Sequence, residues 1–310
     1  MSAPPEVRRR PPPQLFDTVR DRALRAAYQV GWRVAHRIPQ PLVRGTITLI
    51  SALAVRHHGA HVSTLRRNLT IAAGRACDDR LLRTAVASHL RNIFEQLALP
   101  GWSPDQIRGC VVTVNESRLR AAYAGTGAVV ALPHSGNWDL AGAWACLTGM
   151  PVATVAEQLS EAEYAAFMTF REGLGMTVLS HRHPAAIAQL IGEVRAGRLV
   201  CLLADRDLPG TGLTVTWRGR PITMPAGPAV VARRSGAALI PAVCQFTEDG
   251  MSIVFGDVVT ARPGRDGLVA MTQDVADFFA DTIAARPEDW HMMQPFFPAD
   301  AVPTGGPTDA

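Results

Sequence analysis

Eight short apolar runs follow one another between residues 111 and 255: VVTV (111–114), AVVAL (128–132), VATV (152–155), MTVL (176–179), LVCLLA (199–204), LTVTW (213–217), ALIPAV (238–243) and MSIVF (251–255). Each is four to six residues long, a length that suits a buried strand and not a helix. Most are separated by stretches with helical spacing, at 139–148, 160–173, 184–196 and 224–236, and a further helical stretch at 267–285 follows the last. Strands alternating with helices predict an α/β fold, with a central, mostly parallel or mixed β-sheet flanked by helices. Upstream of residue 110 the texture is helical, with LRRNL (65–69) and RLLRTAVASHLRNIFEQL (80–97) falling in a helical stretch over 62–98. The expected plan is therefore a disordered, Pro- and Arg-rich segment at 1–14 and one domain over 15–298. Within that domain, 15–109 is a helical layer and 110–298 the α/β core, and 299–310 is a flexible tail.

The helical layer carries the positive charge. Residues 1–110 hold 17 arginines against 7 acidic residues, while the remainder holds 14 against 20. A basic front end fits an anionic partner, either nucleic acid or an acidic membrane surface. Phe16, Val19, Ala23, Ala27, Val30, Val34 and Ile38 are spaced three or four apart as one apolar stripe, which Pro39 and Pro41 end. Arg20, Arg25, Arg33 and Arg37 fall mainly on other faces, and Trp32 flanks the stripe. An Arg-edged amphipathic helix of this kind can lie on a bilayer or pack on its own domain, and the two are compatible. The apolar TITLISALAV (46–55) is far short of the ~20 residues that a spanning helix needs. MSAPPEVRRRPPP has charge but no apolar h-region behind it, so no signal peptide is expected. Nucleic acid is disfavoured, because the basic segment carries an apolar stripe and no recognisable reading motif.

Composition also excludes chemistry. All 31 basic residues are arginine, so there is no lysine for a nucleotide phosphate or for a Schiff base. The five cysteines are scattered with no CxxC, the usage of reduced thiols and not of a disulfide frame or a zinc site. No GxSxG elbow is present to supply a serine nucleophile.

What remains is the stretch ALPHSGNWDLAGAW (131–144). His134 stands just past the strand AVVAL, where α/β proteins place ligands, and Asn137 or Asp139 can open the helix that follows. Across so short a turn the Asp139 carboxylate can reach the His134 ring, fix its tautomer and leave the other nitrogen to take a substrate proton. The residues fit equally a hydrogen-bonded strand-end histidine beside an aspartate that only caps a helix. Two further strand ends deliver charge, Glu157 shortly after VATV, and Asp205, Arg206 and Asp207 after LVCLLA. Buried charges of this kind need partners, so the three strand ends can converge at one edge of the sheet.

HSGNWD matches the H-x-x-x-x-D block of the glycerolipid acyltransferase superfamily. Together with LRRNL, LLADRDL (202–208) and WRGRPITMPAGPA (217–229), the chain resembles the branch of late lipid A acyltransferases over about residues 15–298. Within that branch HSGNWD, ADRDL and RPEDWH resemble the phosphatidylinositol mannoside acyltransferases of actinobacteria. The resemblance implies an acyl-CoA donor with a palmitoyl-type chain, serving as co-substrate, with no cofactor and no metal. It implies as acceptor a mannose 6-hydroxyl of a phosphatidylinositol mannoside, and peripheral attachment to an anionic membrane surface at the cytoplasmic face of the plasma membrane. By position it makes His134 the general base and Asp139 its orienting partner. Asn137, Glu157, Arg171, Asp205, Arg206 and Asp207 become substrate-binding groups, and Phe16, Arg20, Arg25, Trp32, Arg33 and Arg37 dock the membrane. In the block WRGRP, Trp217 and Arg218 stand where relatives often have two aromatic residues. An acyl-carrier-protein donor, another lipid acceptor, or a catalytically silent lipid-binding protein are the rival readings.

Overall fold

All eight apolar runs form strands, and seven of them build one sheet. In the computed structural model, which describes residues 30–156, 169, 171–180, 183, 185–207 and 210–298, the strands are β1 (Val111–Val114), β2 (Ala128–Leu132), β3 (Val152–Ala156), β4 (Thr177–Ser180), β5 (Leu199–Leu203), β6 (Leu213–Trp217), β7 (Arg220–Met224), β8 (Ala238–Phe246) and β9 (Met251–Phe255). Phe16, Arg20, Arg25, Glu157 and both termini lie outside the described residues. The large sheet runs β1-β9-β8-β2-β5-β3-β4 and is parallel except where β8 meets β9. The expected mostly parallel, mixed sheet is the one observed.

β2 shows why the sheet is covered on both faces. All five of its residues are buried, and side chains alternate across a strand. Val129 and Ala131 enter one core with Leu65 and Leu69 of α2 (Ala60–Ala73), Leu82 of α3 (Asp79–Ala98) and Phe279 of α9 (Gly264–Ala285). Val130 and Leu132 enter a second core with Leu119 of α5 (Glu116–Gly125) and Leu140 and Trp144 of α6 (Trp138–Leu147). The N-terminal helices thus share a core with the sheet. Also among the described residues are the helices α1 (Gln40–His57), α4 (Pro104–Gly109), α7 (Ala186–Arg195) and α8 (Gly227–Ser235).

Two local readings change. The helical stretch expected over 62–98 is two helices, because Gly74 ends α2 in the left-handed region at φ 65° and Asp78 restarts the chain, its carboxylate accepting from the Leu81 N–H. LTVTW does not join the large sheet. It pairs antiparallel with Arg220–Met224 through a two-residue turn at Arg218 and Gly219, both at positive φ. Pro221 hides that second strand from a reading by pattern, since proline marks a strand down unless it lies at an edge.

Candidate active site

The register of β2 against β5 sets the site. Leu132 lies opposite Leu203 in adjacent parallel strands, so His134 and Asp205 both stand two residues past paired strand ends. His134 Nδ1 lies 2.6 Å from Asp205 Oδ1, and the His134 backbone N–H donates to Asp205 Oδ2 at 2.9 Å. The Trp290 indole N–H donates to that same Oδ2 at 2.9 Å. Asp205 is 1% exposed. Burial alone would raise its carboxyl, but the His134 ring and the three hydrogen bonds outweigh burial and hold it below the ordinary carboxylate range. A carboxylate accepts, so Nδ1 carries the ring proton and Nε2 is left with a lone pair. This is the arrangement of a general base.

The turn between β2 and α6 is held from several sides. Gly136 is at φ 57°, and a Cβ there would lie 2.8 Å from the Cys244 backbone, so only glycine fits between the turn and β8. The Ser135 hydroxyl donates to the Cys244 carbonyl at 2.6 Å, which commits it away from catalysis. Asn137 caps α6, its side-chain oxygen accepting from the Leu140 N–H at 3.0 Å, and its amide donates to Glu95 Oε2 at 3.1 Å. Arg91 pairs with Glu95 at 2.6 Å and donates to the carbonyls of Thr247 and Gly250. Asn137, expected to bind substrate, is fully buried and spent on this network.

Asp139 does not hold the His134 ring, as the spacing suggested; Asp205 does. α6 begins at Trp138, so Asp139 lies in its first turn, where the helix dipole favours a carboxylate. There it receives Arg171 on both oxygens, Nε at 2.7 Å from Oδ1 and Nη2 at 3.3 Å from Oδ2. Burial pushes the guanidinium down, and Asp139 more than offsets it, leaving Arg171 above its usual value. Both residues line the same cavity as His134. Arg206 faces that cavity and a second one beside the β6–β7 hairpin. Asp207 is turned to the second cavity only, where its Oδ2 accepts from the Gly212 N–H at 2.8 Å.

The cavity that His134 lines measures about 540 Å³ and takes lining residues from the sheet and from α6. Its lining combines the polar side chains of His134, Trp138, Asp139, Arg171, Arg206 and His291 with an apolar majority that includes Val130, Leu132, Val152, Leu199, Leu203, Ile253 and Phe255. Ala141, Gly142 and Ala145 keep the α6 wall thin. The motif RPEDWH supplies what residue-by-residue reasoning did not assign. Gly136 N–H donates to the Asp289 carbonyl at 3.0 Å and His291 N–H to the His134 carbonyl at 2.8 Å, so residues 289–291 strap the turn. Burial, with His89 adding to it, holds His291 down at about 3. Its neutral ring carries the proton on Nε2, which lies 3.0 Å from the Gly136 carbonyl. His89 Nδ1, His291 Nδ1 and Trp138 Nε1 are buried with no hydrogen-bond partner, polar capacity left over beside His134.

Comparison with known proteins places the chain among lipid-modifying enzymes. The family model for bacterial lipid A biosynthesis acyltransferases matches residues 17–298. A phosphatidylinositol mannoside acyltransferase of Mycolicibacterium smegmatis is 38% identical over 283 residues, covering 88% of this chain and 91% of that protein. A protein of the same name from Mycobacterium tuberculosis is 38% identical over 285 residues, 88% of each chain.

Proposed function

The chain belongs to the bacterial lipid A biosynthesis acyltransferase family, and from that premise we propose that it transfers a palmitoyl-type chain from acyl-CoA to the 6-hydroxyl of a mannose in a phosphatidylinositol mannoside. It is an acyltransferase, and the acceptor class follows the names of its mycobacterial relatives. The observation that carries the reading is the His134–Asp205 pair, whose histidine lines a largely apolar cavity. His134 Nε2 takes the proton from the attacking hydroxyl while its oxygen bonds to the thioester carbonyl carbon. The tetrahedral adduct collapses with cleavage of the C–S bond, and the coenzyme A thiolate takes the proton back from the ring. Transfer is direct, without an acyl-enzyme, since Ser135 is engaged on Cys244.

The cavity suits the acyl chain. Burying about ten methylenes at roughly 0.8 kcal/mol each contributes about 8 kcal/mol, enough for the tail to dominate donor binding. Arg206, which lines the cavity, suits a phosphate of the donor or of the lipid. The unspent polar atoms of His89, His291 and Trp138 suit the hydroxyls of a sugar. In the assay, palmitate labelled on palmitoyl-CoA is expected to appear in the phosphatidylinositol mannoside. Label released only as free palmitate would mean the acceptor is wrong. Activity with an acyl carrier protein alone would mean the donor is wrong.

The membrane side of the reading rests on α1. Leu42, Leu49, Ile50 and Leu53 stand exposed along one face, while Val43, Ser51 and Val55 are buried on another. Exposed Val30 and Val34 precede them, with Arg33 and Arg37 exposed beside these. Trp32, expected at the membrane, instead packs against the second core. Among the described residues no single helix is long and apolar enough to cross a bilayer; Val30–Arg37 and Gln40–His57 meet at 112°. Such a face lies along a headgroup layer, with arginines attracted to anionic lipid. Replacing Leu49 and Leu53 together by serine is expected to weaken partition onto anionic vesicles about tenfold or more without changing the fold. Unchanged co-sedimentation would remove α1 from the docking surface.

A further inference from the structure

RPEDWH straps the catalytic turn through its backbone, but one of its side chains does something different. Trp290 is fully buried, stacked on Trp217 with ring centroids 5.4 Å apart and planes 15° apart, and meets Phe296 edge-on at 4.9 Å. Within this aromatic cluster its indole N–H points at Asp205 Oδ2, which also receives the His134 backbone N–H. Both groups can only donate. Asp205 Oδ2 is therefore closed to a proton, and the carboxyl cannot turn over without losing a hydrogen bond. Any proton on the pair has to lie between Asp205 Oδ1 and His134 Nδ1, 2.6 Å apart. Ser135 and Trp290 also form an isolated antiparallel bridge, so one residue ties together the ends of β2 and β5.

We propose that Trp290 is a positioning residue for the transfer reaction, its indole N–H fixing Asp205 in the orientation that presents Oδ1 to His134. The inference rests on the reading of His134 as the base. The neighbouring indole supplies the control. Trp217 is equally buried in the same stack, but its N–H has no hydrogen-bond partner, so its ring fills space and orients nothing. The titratable groups set against Asp205 are the His134 ring after β2 and His291 on the strap, with Arg206 next to it in the chain. With the indole N–H gone, Asp205 loses one of the hydrogen bonds that hold its carboxyl low, and the carboxyl moves up.

The test compares Trp290→Phe with Trp217→Phe, each corrected for the folded fraction by thermal melt. Trp290→Phe is expected to lower kcat by about tenfold or more, the cost of one hydrogen bond to a charged group, with KM for palmitoyl-CoA within about twofold. The acid limb of its kcat/KM profile moves to higher pH, and Trp217→Phe leaves that limb in place. A Trp290→Phe profile that overlays the wild type, or equal losses in both variants with neither limb moved, overturns the proposal. Should Trp290→Phe not fold, the wild type still decides. In 15N-tryptophan-labelled protein the assigned Trp290 indole N–H should titrate with the His134–Asp205 pair while that of Trp217 stays still, and a Trp290 signal that does not titrate refutes the role. Absence of transfer by the wild type would sink the acyl-transfer reading, and the indole titration would still decide Trp290.

Discussion

Acyl transfer by His134→Ala is expected to fall about a thousandfold, within the range that general-base catalysis supplies, while binding of palmitoyl-CoA persists because the apolar cavity is untouched. Asp205→Asn should fall nearly as far, for a reason visible in the hydrogen bonds. Two N–H groups, from the His134 backbone and Trp290, converge on Asp205 Oδ2. They force the oxygen of the substituted amide into that place and its NH2 toward His134 Nδ1. The ring then accepts at Nδ1, carries its proton on Nε2, and has no lone pair to offer the acceptor hydroxyl. The variant should fold, since every hydrogen bond is kept with its direction reversed at one position. Single-turnover rates for both variants, alongside donor binding, check the assignment. A rate for Asp205→Asn within about fivefold of wild type would mean that His134 is oriented by something other than the carboxylate in contact with it.

The middle of the sheet was legible because its strands are buried on both faces. Runs such as AVVAL and LVCLL carry no polar residue at all and admit few other structures. The location of the site was legible too, since His134 and Asp205 each follow such a run by two residues. The pairing was not. Proximity along the chain favoured Asp139, five residues from His134, whereas the partner comes from a strand 71 residues on. The missing information was that β5 lies beside β2 with Leu132 opposite Leu203, and strand order is a property of the assembled sheet. The same holds for Asn137, whose amide could read as a substrate ligand until Glu95 of α3 was found against it. RPEDWH signalled its place only through resemblance. Its strapping of the turn is made by the backbones of Asp289 and His291 against those of Gly136 and His134, from the far end of the chain.

Asp139→Ala is the variant expected to cost most in stability. Its side chain is 2% exposed and that of Arg171 15%, so the carboxylate is buried and the guanidinium largely so. Removing Asp139 takes from the guanidinium the buried carboxylate it meets on both oxygens, at a cost of about 3 kcal/mol or more, read as a lower urea midpoint with an unchanged slope. Arg171 has no means to relieve this by losing its proton, since a guanidinium stays charged in proteins. Removing both charges should then be milder than removing one: Asp139→Ala combined with Arg171→Met is expected to recover at least half of the lost stability. The two roles open to Asp139 separate on this measurement. An orienting partner of His134 would lose rate and keep stability, and the double variant would recover nothing. A structural anchor at the first turn of α6 would lose stability, regain it in the double variant, and keep a higher rate per folded molecule than Asp205→Asn. The bidentate contact with Arg171 favours the anchor. If Asp139→Ala unfolds at the wild-type midpoint, the ion pair contributes nothing net, and the role of the carboxylate returns to the chemistry in the cavity.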